Sequence, residues 1–275
     1  MTHNRKEEQW NNWLAGIVDG DGYFYINKKE KSISFEITTH TCDAKVLYQI
    51  KNKLKAGSVK ARSNSNSVRY RVKQKDIILV IVNKLNGRLY HKPRLEQFGK
   101  VCEMLGVPPS KSSSLLHKDN AYFSGLIDSD GTINISVSKT SAEDSQKSGN
   151  FGKIQQLIKS KAHNQLSLKI TSVDQGFIDF VNKSLGFGTV YTEKPNKKKK
   201  SSNAKYHWTI RSFEEFAILY EIIKKYPLRS VKMHRLRLAF LYFKYKELKY
   251  HLKSPETIEY KKWEKFCQSW YKYSF

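Results

Sequence analysis

Residues 13–26 read WLAGIVDGDGYFYI and residues 122–135 read YFSGLIDSDGTINI. Both follow one pattern: an aromatic residue, a small residue, Gly, two aliphatics, Asp, a small residue, Asp, Gly, then an alternating strand. Asp130 answers Asp21 at an offset of 109. Self-similarity of this kind marks a duplicated structural unit, and further landmarks extend it. Gly57-Ser58-Val59 answers Gly188-Thr189-Val190 at an offset of 131, and Tyr70-Arg71-Val72 answers Trp208-Thr209-Ile210 at 138. The second copy is therefore the same unit with about 22 extra residues early and about 7 more before its last strand. The Ser-rich stretch 140–150 and the stretch 194–203, which contains KKKK, are expected to carry them as surface loops.

Working outward from the motif, each copy reads as helix, two strands, helix, two strands and closing helices. In the first, Asn11 is placed to cap a helix running through Asp19, and residues 23–29 and 33–41 alternate as strands do. Asp43 precedes Val46, Leu47, Ile50 and Leu54 at helical spacing. Residues 59–62 and 68–73 form a second hairpin around Asn64-Ser65-Asn66, and 76–85 and 95–105 are helical. Pro108-Pro109 and the serines that follow break the pattern as a linker. The second copy starts near Lys118 and ends in helices over 231–248 and 256–271. The expected architecture is α+β: two pseudo-symmetric αββαββα repeats, residues 1–112 and 113–275, each with an antiparallel sheet.

The chain has 275 residues, 50 Lys plus Arg against 25 Asp plus Glu, and a formal net charge of +25. With 39% hydrophobic residues it can bury a core, which excludes a disordered basic tail. No run is long and apolar enough for a membrane span, so no membrane partner is expected. Cys42, Cys102 and Cys267 lie far apart, which argues against a disulfide scaffold or a cysteine zinc site. Residues 1–9 lack the apolar stretch of a secretory signal and show no readable address. So basic a folded chain calls for a polyanionic partner.

Within the motif, Leu14, Ile17 and Val18 form the face that packs into its own repeat. Gly16 and Gly20 lie four apart on another face, as do Gly125 and Ser129. Small residues at that spacing let two helix backbones approach closely, so the two motif helices are expected to pack on each other. Asp21 and Asp130 would meet at the bottom of that contact. A carboxylate in a helix's last turn opposes the macrodipole at a cost of roughly 0.3–1 kcal/mol, and two together also repel. In a chain poor in acids, repeating that arrangement makes sense if a cation sits there. Oxygen-only ligands favour Mg²⁺ or Mn²⁺, and Ca²⁺ can occupy such positions.

LAGIVDGDG and FSGLIDSDG resemble the paired motifs of the single-chain LAGLIDADG homing endonucleases. The resemblance implies that Asp21 and Asp130 bind divalent metal and each help cleave one DNA strand, with the backbone carbonyls of Gly20 and Ser129 as supplementary ligands. By the same resemblance Asp19 and Asp128 are mainly structural. A basic residue is implied near each scissile phosphate: Lys232 in YPLRSVK, and either Lys92 or Arg94 in NGRLYHKPR. The implied activity is double-strand cleavage of DNA leaving short 3′ overhangs. The implied role is intron homing by a monomer in an organelle, mitochondrion or chloroplast.

Alternation assigns the outward faces of the strands. In copy one these are Tyr25, Asn27 and Lys29; Ser34, Glu36 and Thr38; Lys60 and Arg62; and Arg69, Arg71 and Lys73. In copy two they are Thr132, Asn134 and Ser136; Gln165, Ser167, Lys169 and Thr171; and Lys205, His207, Thr209 and Arg211. Cationic and amide side chains on a twisted sheet suit the base edges of the major groove, and Glu36 is the lone acid of those sets. Two such sheets side by side would form a saddle covering about two helical turns, ~20 bp of duplex. Two other readings stay open: an RNA maturase that helps its own intron RNA splice, and a non-catalytic DNA-binding regulator.

Overall fold

A computed structural model describes residues 2–30, 32–138, 149–195 and 203–273. The first repeat runs α1 (Thr2–Asp21), β1 (Gly22–Asn27), β2 (Ser32–His40), α2 (Ala44–Leu54), β3 (Ser58–Ala61), β4 (Ser67–Val72), α3 (Lys75–Leu85) and α4 (Lys92–Leu105). The second runs α5 (Ala121–Asp130), β5 (Thr132–Val137), α6 (Gly149–Lys159), β6 (Asn164–Ser172), α7 (Gln175–Leu185), β7 (Thr189–Glu193), β8 (Lys205–Ile210), α8 (Phe213–Lys225), α9 (Lys232–Glu247) and α10 (Ile258–Trp270). Each sheet is antiparallel with the same order, β1-β2-β4-β3 and β5-β6-β8-β7.

Strand alternation predicts the inward face of the first sheet. Phe24, Phe35, Ile37, Val68, Tyr70 and Val72 are buried against Leu47 and Ile50 of α2 and Ile81 and Val82 of α3. The repeats are alike in detail. Val59 pairs with Tyr70 and Val190 with Trp208. Tyr70 Oη donates to Ala56 O at 3.1 Å, and Trp208 Nε1 donates to Phe187 O at 2.8 Å. Each aromatic ring lies over the next residue, Gly57 or Gly188, whose φ of 82° or 91° suits glycine. A Cβ there would also sit within 2.4–2.6 Å of the ring. These contacts pin the start of β3 and of β7 to an aromatic residue of the paired strand in both halves.

Three expectations are corrected. The first helix begins at Thr2, so Asn11 is interior to it and caps nothing. Glu7 anchors the extra turns by ion pairs to Lys53 and Lys84, which also lie over the Trp10 ring. Asp43 stands at the N-cap of α2 but makes no capping hydrogen bond. The early insertion of copy two is not all loop: α6 occupies part of it and buries Leu157 and Ile158. Of the stretch 140–150 only Gly149 and Asn150 fall among the described residues; in 194–203 the segment 196–202, with KKKK, lies outside them.

Candidate active site and nucleic-acid interface

The halves meet where α1 crosses α5. A Cβ on Gly16 would lie 2.1 Å from Tyr122 O, and one on Gly125 2.0 Å from Trp13 O, so only glycine permits this approach. The aromatic residue that opens each motif then reaches the inner acid of the other. Trp13 Nε1 donates to Asp128 Oδ2 at 3.0 Å, and Tyr122 Oη donates to Asp19 Oδ2 at 2.7 Å. Asp19 also accepts from Tyr90 N at 2.8 Å, and Asp128 from Arg229 N and Ser230 N at 2.9–3.1 Å. Burial pushes Asp19 up to about 7 in spite of these donors. Both inner acids thus tie a motif helix to the segment ahead of a later helix in the same repeat.

The outer acids face a different environment. Asp21 and Asp130 end their helices half-buried, and a Cβ on Gly20 would lie 3.0 Å from the Asp130 carboxyl carbon. Asp130 is therefore held against the opposite motif helix. Burial first, then the charge of Asp130, pushes Asp21 up to about 7. Burial also raises Asp130, with Lys232 and Arg94 opposing the shift. Among the described residues neither carboxylate accepts a hydrogen bond or joins an ion pair, which leaves their oxygens available to a cation. The donor set is all oxygen and suits a hard divalent ion. No group of three or more His, Cys, Asp and Glu forms a metal cluster among the described residues. A cation would therefore have two carboxylates, backbone oxygen and water.

The basic candidates separate cleanly. Lys232 Nζ donates to the carbonyls of Ile127 (3.0 Å), Asp128 (2.8 Å) and Ser129 (2.7 Å) at the end of α5. A cation there offsets the dipole of a helix that ends in acids. Burial lowers the Lys232 pKa, with Asp128, Asp21, Asp43 and Asp130 pulling the other way. In the first repeat Arg94 Nη2 donates to Gly20 O at 3.1 Å, the matching place. Lys92 is exposed; its backbone amide bonds Asp174, and among the described residues its side chain makes no hydrogen bond or ion pair with the motif. The carbonyls of Gly20 and Ser129 thus carry basic donors, leaving one lone pair each for a further ligand.

Outward strand residues line up in cross-sheet rows. Tyr23, Glu36, Arg71 and Ser58 form one row of the first sheet, and Thr38, Arg69 and Lys60 another. Lys60, Arg62, Arg69, Arg71 and Lys73 line a groove of about 600 Å³. Glu36 is buried between two of them, 3.1 Å from Arg69 and 2.5 Å from Arg71. Tyr25 is exposed and Asn27 half-buried, whereas Lys29 sits in the turn beyond β1, where its amide bonds Asn27 Oδ1. Ser34, directly opposite Tyr25 on the central strand, is 3% exposed.

In the second sheet Thr132, Lys169, Thr209 and Thr189 share a row, as do Thr171, His207 and Tyr191. Thr132, Asn134, Ser136, Gln165, Thr171, Lys205 and Arg211 are exposed. Ser167 and Thr209 are not: they are 8% and 2% exposed, and the Thr209 hydroxyl donates to Leu168 O. His207 is also buried, bonded to Thr171 Oγ1 at 2.8 Å and Glu193 Oε2 at 3.1 Å, and stacked on Tyr191. Lys169 and Arg211 lie over the Tyr191 ring at 5.6 and 5.9 Å. Tyr23, Ser58, Thr189, Tyr191 and Glu193 were absent from the outward sets read from sequence. Carrying the alternation back to Tyr23 and through β3 and β7 would have found them.

Two motif helices crossing at glycines, each ending in an acid beside a basic side chain, define a class of two-repeat α+β protein. The family model described as LAGLIDADG endonuclease matches residues 14–105 and 123–245, and the chain belongs to this family. It is 35% identical over 262 residues to an intron-encoded RNA maturase, bI4, of Saccharomyces cerevisiae, covering 95% of this chain and 36% of that protein. It is 33% identical over 270 residues to a probable intron-encoded endonuclease, aI2, of Debaryomyces hansenii, covering 98% and 38%. The chain thus spans well under half the length of these relatives. Among solved structures, the I-LtrWI LAGLIDADG homing endonuclease bound to target DNA superposes with a TM-score of 0.66 at 18% identity, covering 95% of this chain and 97% of that one. The meganuclease I-AabMI bound to uncleaved DNA gives 0.62 at 20% identity, covering 93% and 98%.

Proposed function

We propose that this chain is a sequence-specific, metal-dependent endonuclease that binds duplex DNA as a monomer and cuts both strands of a long, non-palindromic site. The observation that carries the reading is the pairing of Asp21 and Asp130. Two acids are brought together across α1 and α5 at an electrostatic cost, each beside a basic side chain, Arg94 or Lys232. Asp21 and Asp130, with backbone oxygens of Gly20 and Ser129, would hold Mg²⁺ or Mn²⁺. Such an ion activates water and stabilises charge on the attacking and leaving oxygens of a phosphodiester. Arg94 and Lys232 place positive charge beside each carboxylate, and Lys92 has no part in this scheme. The exposed basic side chains of the two sheets track phosphates and read base edges. Residues 1–112 and 113–275 would each serve one half-site.

A second reading, assistance to splicing of the intron RNA that encodes it, is favoured by the 35% identity to a maturase across 95% of the chain. Intron-encoded relatives also support an organellar location, mitochondrion or chloroplast. Purified protein, supercoiled DNA carrying candidate insertion sites, and the matching intron RNA, each with Mg²⁺ or EDTA, separate the two. Linear DNA supports the nuclease; splicing without cleavage supports the maturase.

A further inference from the structure

Two carboxylates outside the motifs reach from one repeat into the other at matching places. Asp43 and Asp174 both stand at the N-cap of the helix after the long central strand, α2 or α7, and are 131 positions apart, the offset of the glycine turns. Asp43 Oδ1 accepts from Val231 N at 2.6 Å, at the start of α9, which carries Lys232. Asp174 Oδ2 accepts from Lys92 N at 3.2 Å, at the start of α4, which carries Arg94. Val231 and Lys92 occupy matching places, each following the segment that turns its amides to the inner acid of its own repeat, Arg229 and Ser230 to Asp128 and Tyr90 to Asp19. Asp43 is 6% exposed and forgoes the capping bond of its own helix to make this contact. Asp174 does both, accepting from Phe177 N through Oδ1.

We infer that Asp43 and Asp174 are reciprocal positioning residues: each repeat fixes, through a carboxylate at the foot of its sheet, the helix that presents the other repeat's basic side chain to the cleavage centre. The inference rests on the endonuclease reading for its consequence, but the clasp itself does not. A negative acceptor on a helix's first free N–H is favourable twice over, through the hydrogen bond and the dipole. Inner acid Asp128 already holds the two preceding amides and Asp19 holds Tyr90 N, each from within its own repeat, so the further, cross-repeat bond sets the direction in which the helix leaves. A small tilt there displaces Lys232 or Arg94 from the motif carbonyls they contact. The clasp also links a sheet on one half-site to the basic residue of the other half, so that seating both halves is coupled to cutting both strands.

The test uses D43A, D43N, D174A and D174N in the full chain. Amide exchange is followed over 228–236 and 89–96, and cleavage of a supercoiled target is resolved by strand. D43A should speed exchange over 228–236 and leave 89–96 unchanged, and D174A should do the reverse. D43A should slow, on the order of tenfold or more, the strand that K232A slows, so that nicked circles accumulate. D174A should slow the strand that R94A slows. The Asn variants keep an acceptor oxygen and should recover most of both signals, which a general loss of stability would not produce. Equal slowing of both strands, or exchange unchanged at the partner helix, would overturn the proposal. If the wild type cuts no DNA, the endonuclease reading fails while the exchange experiment still decides the clasp.

Discussion

Replacing Gly16 by Ala sets two opposing effects against each other, and the structure decides the sign. In a helix interior Ala is favoured over Gly by about 0.5–1 kcal/mol. At Gly16 the added Cβ would stand 2.1 Å from Tyr122 O and 2.6 Å from Leu126 N, whereas ordinary contact begins near 3.4 Å. Both obstacles are backbone, so no side chain can swing aside; α1 and α5 must separate by roughly 1 Å. Overpacking of this kind costs about 1–3 kcal/mol, and the upper part of that range applies where nothing yields. The expected net change is a loss of about 1–2 kcal/mol, read as a Tm several degrees lower at roughly 2–4 °C per kcal/mol. Gly99→Ala on α4 is the matched control, because nothing lies within 4 Å of its Cβ. It should gain about 0.5–1 kcal/mol. The assay is thermal and urea unfolding of both variants beside the wild type. Equal stabilisation by the two substitutions would refute the close crossing of the motif helices.

Asp21 is raised from 3.8 to about 7, so the folded state holds its proton more tightly than the unfolded one. Its contribution is fully present below pH 3.8 and is lost as pH rises through about 7. In EDTA, Asp21→Asn should therefore raise Tm more at pH 8 than at pH 5, with Asp19 cancelling because both proteins share it. Equal gains at the two pH values would contradict the assignment. Glu36→Gln should free Arg69 and Arg71 for phosphate, tightening binding to random duplex and relaxing base preference in one half-site only; competition with random DNA and a profile of bound sites measure both. Affinity for duplex DNA should fall steeply, on the order of 10²-fold or more between 50 and 200 mM salt, as a net charge of +25 requires. A flat salt titration would remove DNA as the partner.

Much of this molecule was legible because its signals are local and doubled. The motif helices, the strands of both sheets and the glycines at Gly57 and Gly188 follow from alternation, helical spacing and a repeat offset, all readable without tertiary structure. That Arg94 and not Lys92 bonds Gly20 O was not, since it depends on which side chain points there when the helix begins at Lys92. Neither was the ion-pair cluster of buried Glu36 with half-exposed Arg69 and Arg71, because alternation assigns a face and not a partner. Thr209 and His207 fall on the outward face yet are covered, since a central strand is flanked on both sides. α6 was hidden by its polar surroundings, although Ile154, Leu157 and Ile158 carry helical spacing. The cross-repeat bonds of Asp43 and Asp174 join residues 188 and 82 positions apart, beyond any local pattern.

The most direct test of the central claim is a cleavage assay on supercoiled plasmid bearing the candidate insertion site, with wild type, Asp21→Asn and Asp130→Asn, in Mg²⁺ and in EDTA. Wild type with Mg²⁺ should yield linear plasmid with staggered ends, and EDTA should leave the plasmid intact. Each Asn variant should lose double-strand cutting while binding the site nearly as well as wild type. Cutting that persists in EDTA, or linear product from either variant at the wild-type rate, would contradict the assignment of the paired acids as the metal-dependent cleavage centre.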